Sequence, residues 1–313
     1  MNYGTADLAI AAVESLLAHD TGGRDLSVHL VDNASPSGDA SELAKAHGGR
    51  GWGDRVTFWP EKVNHGFGRG NNVVLRPLSA DPPDAVLLLN PDARLDSDVV
   101  SILAQALDDR PDAGAAGAAV LRPDGSRATA AFRFPSLASE VSRIAGFGPL
   151  DRVLRDRLVH LPPDHPGGEV DWVTGAAVMF RWEALAAVDF FDPGFFLYYE
   201  EVDMMRRMRE AGWSVLHVPA ARVVHAEGAA TGQFAGAASR KRDPAYLYQS
   251  WRHYFVRAKG RAGALAIALL HWPLAAFNIL HRRLRGKQPG VPLHFFRDHW
   301  RHVLWPLLSG RDA

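Results

Sequence analysis

The stretch Val86-Leu87-Leu88-Leu89 followed by Asn90-Pro91-Asp92 constrains this chain more than any other. Four consecutive apolar residues suit a strand buried on both faces, and Pro91, which has no amide proton, cannot continue its hydrogen-bond ladder. Asp92 is thereby delivered just past the carboxyl end of a sheet, the edge at which open α/β sheets bind ligands. Taken alone, the stretch also fits an ordinary strand-to-helix turn in which Asp96 or Ser97 caps the next helix and Asp92 is only solvated.

The segments around it alternate in the same manner. Leu8, Ala9, Ala12, Val13, Leu16 and Leu17 recur at helical spacing after Thr5, and 27–31 reads as a strand ending at Asp32-Asn33-Ala34-Ser35. A helix over 37–47, a strand over 56–59, a glycine-rich turn over 64–72 and a helix to Leu78 complete the approach to Val86. Strands alternating with helices at this pitch predict a mostly parallel sheet flanked by helices. After a helix over 97–107, the runs 115–121 and 128–134 around Asp124-Gly125 predict a hairpin at which parallel order stops. The stretch 137–168, rich in Pro, Gly and charge, reads as a mobile excursion with a helix around 140–144. Residues 170–181 resume as a strand interrupted by Gly175, followed by a helix over 182–188 and an aromatic cluster from Phe190 to Tyr199. A charged helix over 200–211 and short strands over 215–218 and 222–224 lead to His225.

The 313 residues, 47% hydrophobic and 22% charged, suffice for one large core or two modest ones and argue against disorder. The absence of cysteine excludes disulfides, thiolate metal sites and thiol nucleophiles, so any metal must be held by oxygen and imidazole. The opening Met1-Asn2-Tyr3-Gly4 does not read as a secretory signal. A net charge of zero hides an asymmetry: from Arg240 onward fourteen Lys or Arg face three acids, a surplus of eleven that the preceding residues cancel. Within this basic tail, 263–280 has His271 and Asn278 as its only clearly polar side chains and is interrupted by Pro273. Flanked by Arg257, Lys259 and Arg261 before it and Arg282, Arg283, Arg285 and Lys287 after it, the segment fits a helix lying in or dipping into a bilayer face, or a buried helix packed on the main domain.

Several groups could carry chemistry. Asp32 and Asp92 each end a strand and could face one crevice, one reading a base or ribose and the other holding a cation. The glycines of Asn64-His65-Gly66-Phe67-Gly68-Arg69-Gly70-Asn71-Asn72 would let the backbone approach a phosphate or ribose, or simply make a tight turn before a helix. Glu200, Glu201 and Asp203 either stabilise a helix N-terminus or, beside an aromatic wall, include a carboxylate of raised proton affinity suited to act as general base. His225 could complete an oxygen and nitrogen metal site with Asp92.

In their order along the chain, Leu30-Val31-Asp32-Asn33-Ala34-Ser35, the Asn64 to Asn72 segment and Leu88-Leu89-Asn90-Pro91-Asp92 resemble glycosyltransferase family 2, most of all its rhamnosyltransferase-type members. Gly175 to Arg181, the run from Phe191 through Asp203, and Arg207 to Trp213 look like the acceptor half of that family. His225 with Gly228 and Thr231 looks like its closing metal motif, and the resemblance spans about Asn2 to Gly260. It implies a GT-A fold over 1–238, with a nucleotide-sugar half over about 1–120 and an acceptor half over about 121–238, then a basic, helical, membrane-associating tail over 239–313.

The same resemblance implies a dTDP- or UDP-linked sugar donor, a glycan or lipid-linked acceptor, no nucleic-acid partner, and work at the inner face of the cell membrane. Tyr3, Asp32, Asn64, Gly66, Gly68, Asn71 and Asn90 are then on the donor side, with Asp32 near the nucleobase. Asp92 and His225 are the implied ligands of Mn²⁺ or Mg²⁺, while Asn90 stands at the first acidic position of the family's Asp-x-Asp motif. The Glu200-Glu201 pair stands where the family has Glu-Asp, with Glu201 the implied base and Glu200 the alternative, for an inverting displacement. The family begins with an apolar strand, which this chain lacks before Asn2. A non-catalytic membrane-associated sugar-nucleotide-binding protein and a sugar nucleotidyltransferase stand as the competing readings.

Overall fold

A computed structural model describes residues 1–225 and 241–310. In chain order the elements are α1 (Ala6–Ala18), β1 (Val28–Asp32), α2 (Asp39–Gly49), β2 (Val56–Pro60), α3 (Gly66–Leu78), β3 (Ala85–Leu89), β4 (Ala93–Leu95) and α4 (Val99–Asp108). There follow β5 (Ala113–Leu121), β6 (Arg127–Ala128), β7 (Ala131–Phe132), α5 (Leu137–Ala145), α6 (Gly148–Val153), β8 (Gly168–Val170), β9 (Trp172–Val173), β10 (Ala177–Arg181), α7 (Trp182–Ala187) and α8 (Glu200–Glu210). The long β11 (Ser214–His225), α9 (Ala245–Leu284), α10 (Phe295–His299) and α11 (Trp305–Ser309) complete the described chain.

The architecture is α/β, as the alternation implies, but the sheet is mixed and not mostly parallel. Its strands run β3-β10-β5-β11-β4, with β6 and β8 added at β5 and β11. β10 is antiparallel to both β3 and β5, and the parallel pairings are β5 with β11 and β1 with β2. The reason is connectivity. The chain returns from the 137–168 excursion in the opposite sense and inserts β10 beside β3, where a helical crossover would have kept the direction.

β1 and β2 form a separate parallel pair, and β3 has β10 as its strand partner, so no described strand joins β1 to β3. Asn2 adds a single parallel bridge to Asp32 on the open side of β1. The expected hairpin is confined to Val120 with Ala128 and Leu121 with Arg127, since Ala131 and Phe132 pair instead with β9. The expected mobile excursion holds α5 and α6, and α5 carries a capping box in which Ser136 and Ser139 exchange bonds. The glycine-rich segment is not a turn before the helix but its first two turns, helical from Gly66. The two strands read near 215–218 and 222–224 are one, irregular between Val218 and Arg222.

The basic tail shares its core with the main domain: Tyr248, Trp251, Tyr254 and Phe255 pack with Ile144, Phe195 and Val202. α9 breaks at Gly260, whose φ of 69° and ψ of 166° leave helical space. The expected boundary at 238/239 and the Gly228 and Thr231 of the closing motif lie outside the described residues.

Candidate active site

β3 ends at Leu89, and the chain turns sharply through Asn90-Pro91-Asp92 into β4. The Asn90 amide donates to Ala176 O at 3.0 Å, which pins the turn to the segment entering β10. β4 pairs antiparallel with β11, placing Ala93 opposite His225. His225 Nε2 therefore meets Asp92 Oδ1 at 2.9 Å, with the Asn90 side-chain nitrogen 3.5 Å from the same imidazole nitrogen. The sequence-predicted metal pair is thus brought together, with Asn90 beside it.

Among the described residues no group of three or more His, Asp and Glu gathers into a cation site. One carboxylate and one imidazole suit Mn²⁺ or Mg²⁺ only if other ligands, such as a donor diphosphate and water, complete the shell. The two residues fit such an ion in donor chemistry, and their direct contact shows that both can address one point.

Glu200 and Glu201 open α8 after a turn that holds Tyr198 and Tyr199 at φ of 69° and 71°, left-handed conformations that cost non-glycine residues energy. Glu200 is 2% exposed. Burial raises its proton affinity well above the usual carboxylate range, and the neighbouring Glu201 charge adds to the effect. Burial raises Glu201 as well. Among the described residues the Oε2 atoms of both are buried without a hydrogen-bond partner, so each offers an oxygen that can take a proton or a hydroxyl donor. Glu201 Oε1 lies 3.9 Å from where a Cβ on Gly175 would stand, and the next residue, Ala176, holds Asn90. The acid pair and the Asp92–His225 pair are linked by that short path.

Asp203, the third acid of the cluster, is fully buried and serves structure. It receives Arg206 at 2.9 Å, Arg207 at 2.8 Å and Arg257 from α9 at 3.1 Å. Arg207 also donates to the carbonyls of Val188 and Phe190, so this hub fixes the aromatic loop ahead of the acid pair.

On the other side of the site, Asp32 is 1% exposed and bound by the Asn2 amide at 2.9 Å and the Ser35 hydroxyl at 2.6 Å. Asn64 Oδ1 accepts from the Gly66 amide at 2.8 Å and from Asn33 at 3.0 Å, which bends the chain into α3. Gly66 sits at φ 74°, and a Cβ there would overlap Phe196 O. Gly68 would press a Cβ on Phe191 at 3.0 Å, while Asn71 donates to Phe67 O at 3.0 Å. These glycines thus let α3 and the loop before α8 approach each other. Tyr3 is 39% exposed, beside Gly4, whose amide donates to Ser35.

Sequence reasoning passed over Asn2, Asn33 and Asn72. Asn2, wholly buried, also donates to Asp39 at 3.0 Å, and Asn72 exchanges two hydrogen bonds with the Phe191 backbone. Asn33 holds both the His65 amide and Gly66 O. The partners just named lie 30 or more residues away, and the one local signal is that Asn2 Oδ1 accepts from the Thr5 amide at 3.1 Å and hydroxyl at 2.9 Å.

With the fold and these groups in place, comparison with known proteins defines the class. Residues 85–285 match glycosyl transferase family group 2, and the chain belongs to that family. It is a glycosyltransferase with the GT-A fold, similar to rhamnosyltransferases. It is 28% identical over 275 residues, 83% of each chain, to the N-acetylglucosaminyl-diphospho-decaprenol L-rhamnosyltransferase of Mycobacterium tuberculosis strain H37Rv. The fold is similar to that of GalNAc-T7 crystallised with UDP, GalNAc and Mn²⁺, with a TM-score of 0.58, 12% identity and coverage of 95% of this chain and 54% of the other. The mannosyltransferase PcManGT of Pyrobaculum calidifontis, in complex with GDP-Man and Mn²⁺, gives 0.55 at 17% identity over 99% of this chain and 86% of its own.

Proposed function

We propose that this enzyme moves a sugar, with rhamnose the first choice, from a dTDP- or UDP-linked donor to a hydroxyl of a lipid-linked glycan, with inversion at the anomeric carbon. It would work peripherally at the cytoplasmic face of the membrane. The observation that carries the proposal is the link between two pairs: Asp92 with His225, and the buried Glu200 with the half-buried Glu201, joined through Gly175, Ala176 and Asn90. The mycobacterial relative's name supports the choice of sugar and acceptor.

In this reading Asp92 and His225 would hold Mn²⁺ or Mg²⁺, which would supply positive charge to offset that of the departing diphosphate. Glu201 removes the acceptor proton while the acceptor oxygen forms its bond to the anomeric carbon and the carbon–oxygen bond to the diphosphate breaks. Desolvation keeps that carboxylate basic enough to accept the proton. Glu200 is the alternative base. Asp32 lies near the nucleobase, and Tyr3, Asn64, Gly66, Gly68, Asn71 and Asn90 form the donor side.

The test is transfer from dTDP-rhamnose or a UDP-sugar to a polyprenyl-diphosphate-linked N-acetylglucosamine in the presence of Mn²⁺, with the product's anomeric configuration read by NMR. Inversion, lost in Glu201→Gln and Asp92→Ala, supports the proposal. Retention of configuration would falsify the mechanism. Donor binding without turnover under any of these conditions would favour a binding protein.

A further inference from the structure

The second half of α9, residues 261–284, buries Ala264, Ile267, Ala268 and Ala275 against the protein yet points a second apolar set outward. Its buried positions include His271 and Asn278, the two polar residues of its apolar stretch, each 2% exposed. His271 lies 3.1 Å from the Glu140 carboxylate, and Asn278 donates to Ile144 O and Ala145 O at 3.1 Å and accepts from Gly290. Its outward positions include Leu269, Leu270, Phe277, Leu280 and Leu284, between 41% and 80% exposed. At 100° per residue these five fall within an arc of about 100°, an apolar face where a water-facing helix would be polar.

Neighbouring elements extend the face on both flanks. On one side α6 exposes Val153 at 80%, and Phe147, Leu150, Leu274 and Phe277 line an open, almost wholly apolar cleft of about 450 Å³. On the other side Trp272 meets Trp300, which packs on Trp305, and both of these are more than 40% exposed. Cations border the face. Arg283 in the last turn of α9 and Arg285 and Lys287 just after it are exposed, as are Arg152, Arg155 and Arg157 at and beyond the end of α6, where Arg155 lies 3.8 Å from Asp156.

We infer that this face rests in one leaflet of an anionic phospholipid bilayer, with 261–284 lying along the membrane. Apolar area, border tryptophans and flanking cations match the acyl region, the headgroup level and the lipid charge respectively. Packing favours lying over spanning: a third of an 18-residue apolar window of α9 is buried inside the protein, and His271 and Asn278 are held by α5, so lipid cannot surround the helix on all sides. The inference deepens the proposed membrane location of the enzyme. Its basis is independent of the acceptor, because the face is defined by exposure and charge alone.

The test is flotation of the full chain with vesicles of phosphatidylcholine alone or mixed with phosphatidylglycerol, without substrate, beside turnover on a short-chain, water-soluble acceptor. The chain is expected to float with the anionic vesicles and to leave them as salt rises. Arg283→Gln with Arg285→Gln is expected to weaken that binding roughly thirtyfold. Leu270→Glu with Leu280→Glu is expected to abolish binding while turnover on the soluble acceptor is unchanged, which also certifies the fold. Equal binding by that variant would overturn the inference, as would failure of the native chain to bind either vesicle. A dimer in solution that the leucine variant dissociates, with no vesicle binding, would assign the face to a second copy and overturn it too. Absence of transfer to any acceptor, with vesicle binding intact, would count against the proposed activity and leave the docking face standing.

Discussion

His225 Nε2 lies 2.9 Å from Asp92 Oδ1 across 133 residues of sequence, because β11 runs antiparallel to the short β4 that follows the Asn90-Pro91-Asp92 turn. The pair stands at one point of the sheet edge, and with it stands the expectation of metal dependence. Asp92→Ala and His225→Ala are each expected to lower kcat at least about a hundredfold at saturating Mn²⁺, since a cation at a departing diphosphate is worth several kcal/mol. Turnover titrated against Mn²⁺ checks it. Unaltered metal dependence in both variants would remove the pair from the site.

The acid pair sets a pH dependence. Burial raises Glu201, and a general base works only when deprotonated, so kcat/KM is expected to climb with pH on a limb above the ordinary carboxylate range. Glu200, raised further by the Glu201 charge, is still protonated while Glu201 titrates, so Glu200→Gln is expected to leave that limb in place while keeping most of the activity. Stability runs the other way. A carboxylate raised by folding stabilises fully below its unfolded value and loses that contribution as pH rises through its folded one. Glu200→Gln is therefore expected to melt higher than the native chain at pH 8, with the gain vanishing near pH 4. Melting curves at the two pH values, beside rate profiles, test both signs.

Asp92, His225 and the acid pair were legible because each stands at the end of an apolar run or at the start of a charged helix, where local pattern carries information. The direction of β10 was not legible, since Ala177 to Arg181 reads the same way along either course of the chain and only the path of 137–168 decides it. Nor could the glycine-rich segment declare its role: Gly66 is required by Phe196 O, 130 positions away, as much as by any ligand. The apolar run at 263–280 announced a helix near a membrane or a core. Which face looks outward depends on where Asn278 and His271 find partners, and those lie on α5.

Gly66→Ala is expected to destabilise by at least about 2 kcal/mol. The position is left-handed at φ 74°, costing an L-residue roughly 1–2 kcal/mol, and the added methyl would also meet Phe196 O. The Phe67 amide, which donates to that carbonyl at 2.9 Å, would be displaced with it. Urea unfolding measures the loss. A change under 0.5 kcal/mol, on the order of a neutral surface substitution, would show that α3 and the aromatic loop separate more easily than this contact implies.

Asp203→Asn separates charge from shape at the hub beneath the acid pair. Arg206, Arg207 and Arg257 converge on one wholly buried carboxylate, and removing its charge leaves Arg207 inside without its counterion, while Arg206 keeps Glu210 and Arg257 keeps Asp192. Such losses cost about 3–5 kcal/mol, and the retained amide can recover part of the hydrogen bonding but none of the charge. Although burial alone would raise it, the hydrogen bond from Arg206 and the charges of Arg207 and Arg257 hold Asp203 below the usual carboxylate range. A carboxyl lowered by folding stabilises above its unfolded pKa and loses that contribution as pH falls through the folded one. The native chain is therefore expected to lose this contribution progressively under acid, while Asp203→Asn, already without it, shows a flatter acid limb in melting temperature. Because Arg207 and Arg257 tie the aromatic loop to α8 and α9, the variant is also expected to lower kcat more than it raises donor KM. Equal acid limbs in the two proteins would show that the three arginines find other partners once the carboxylate is gone.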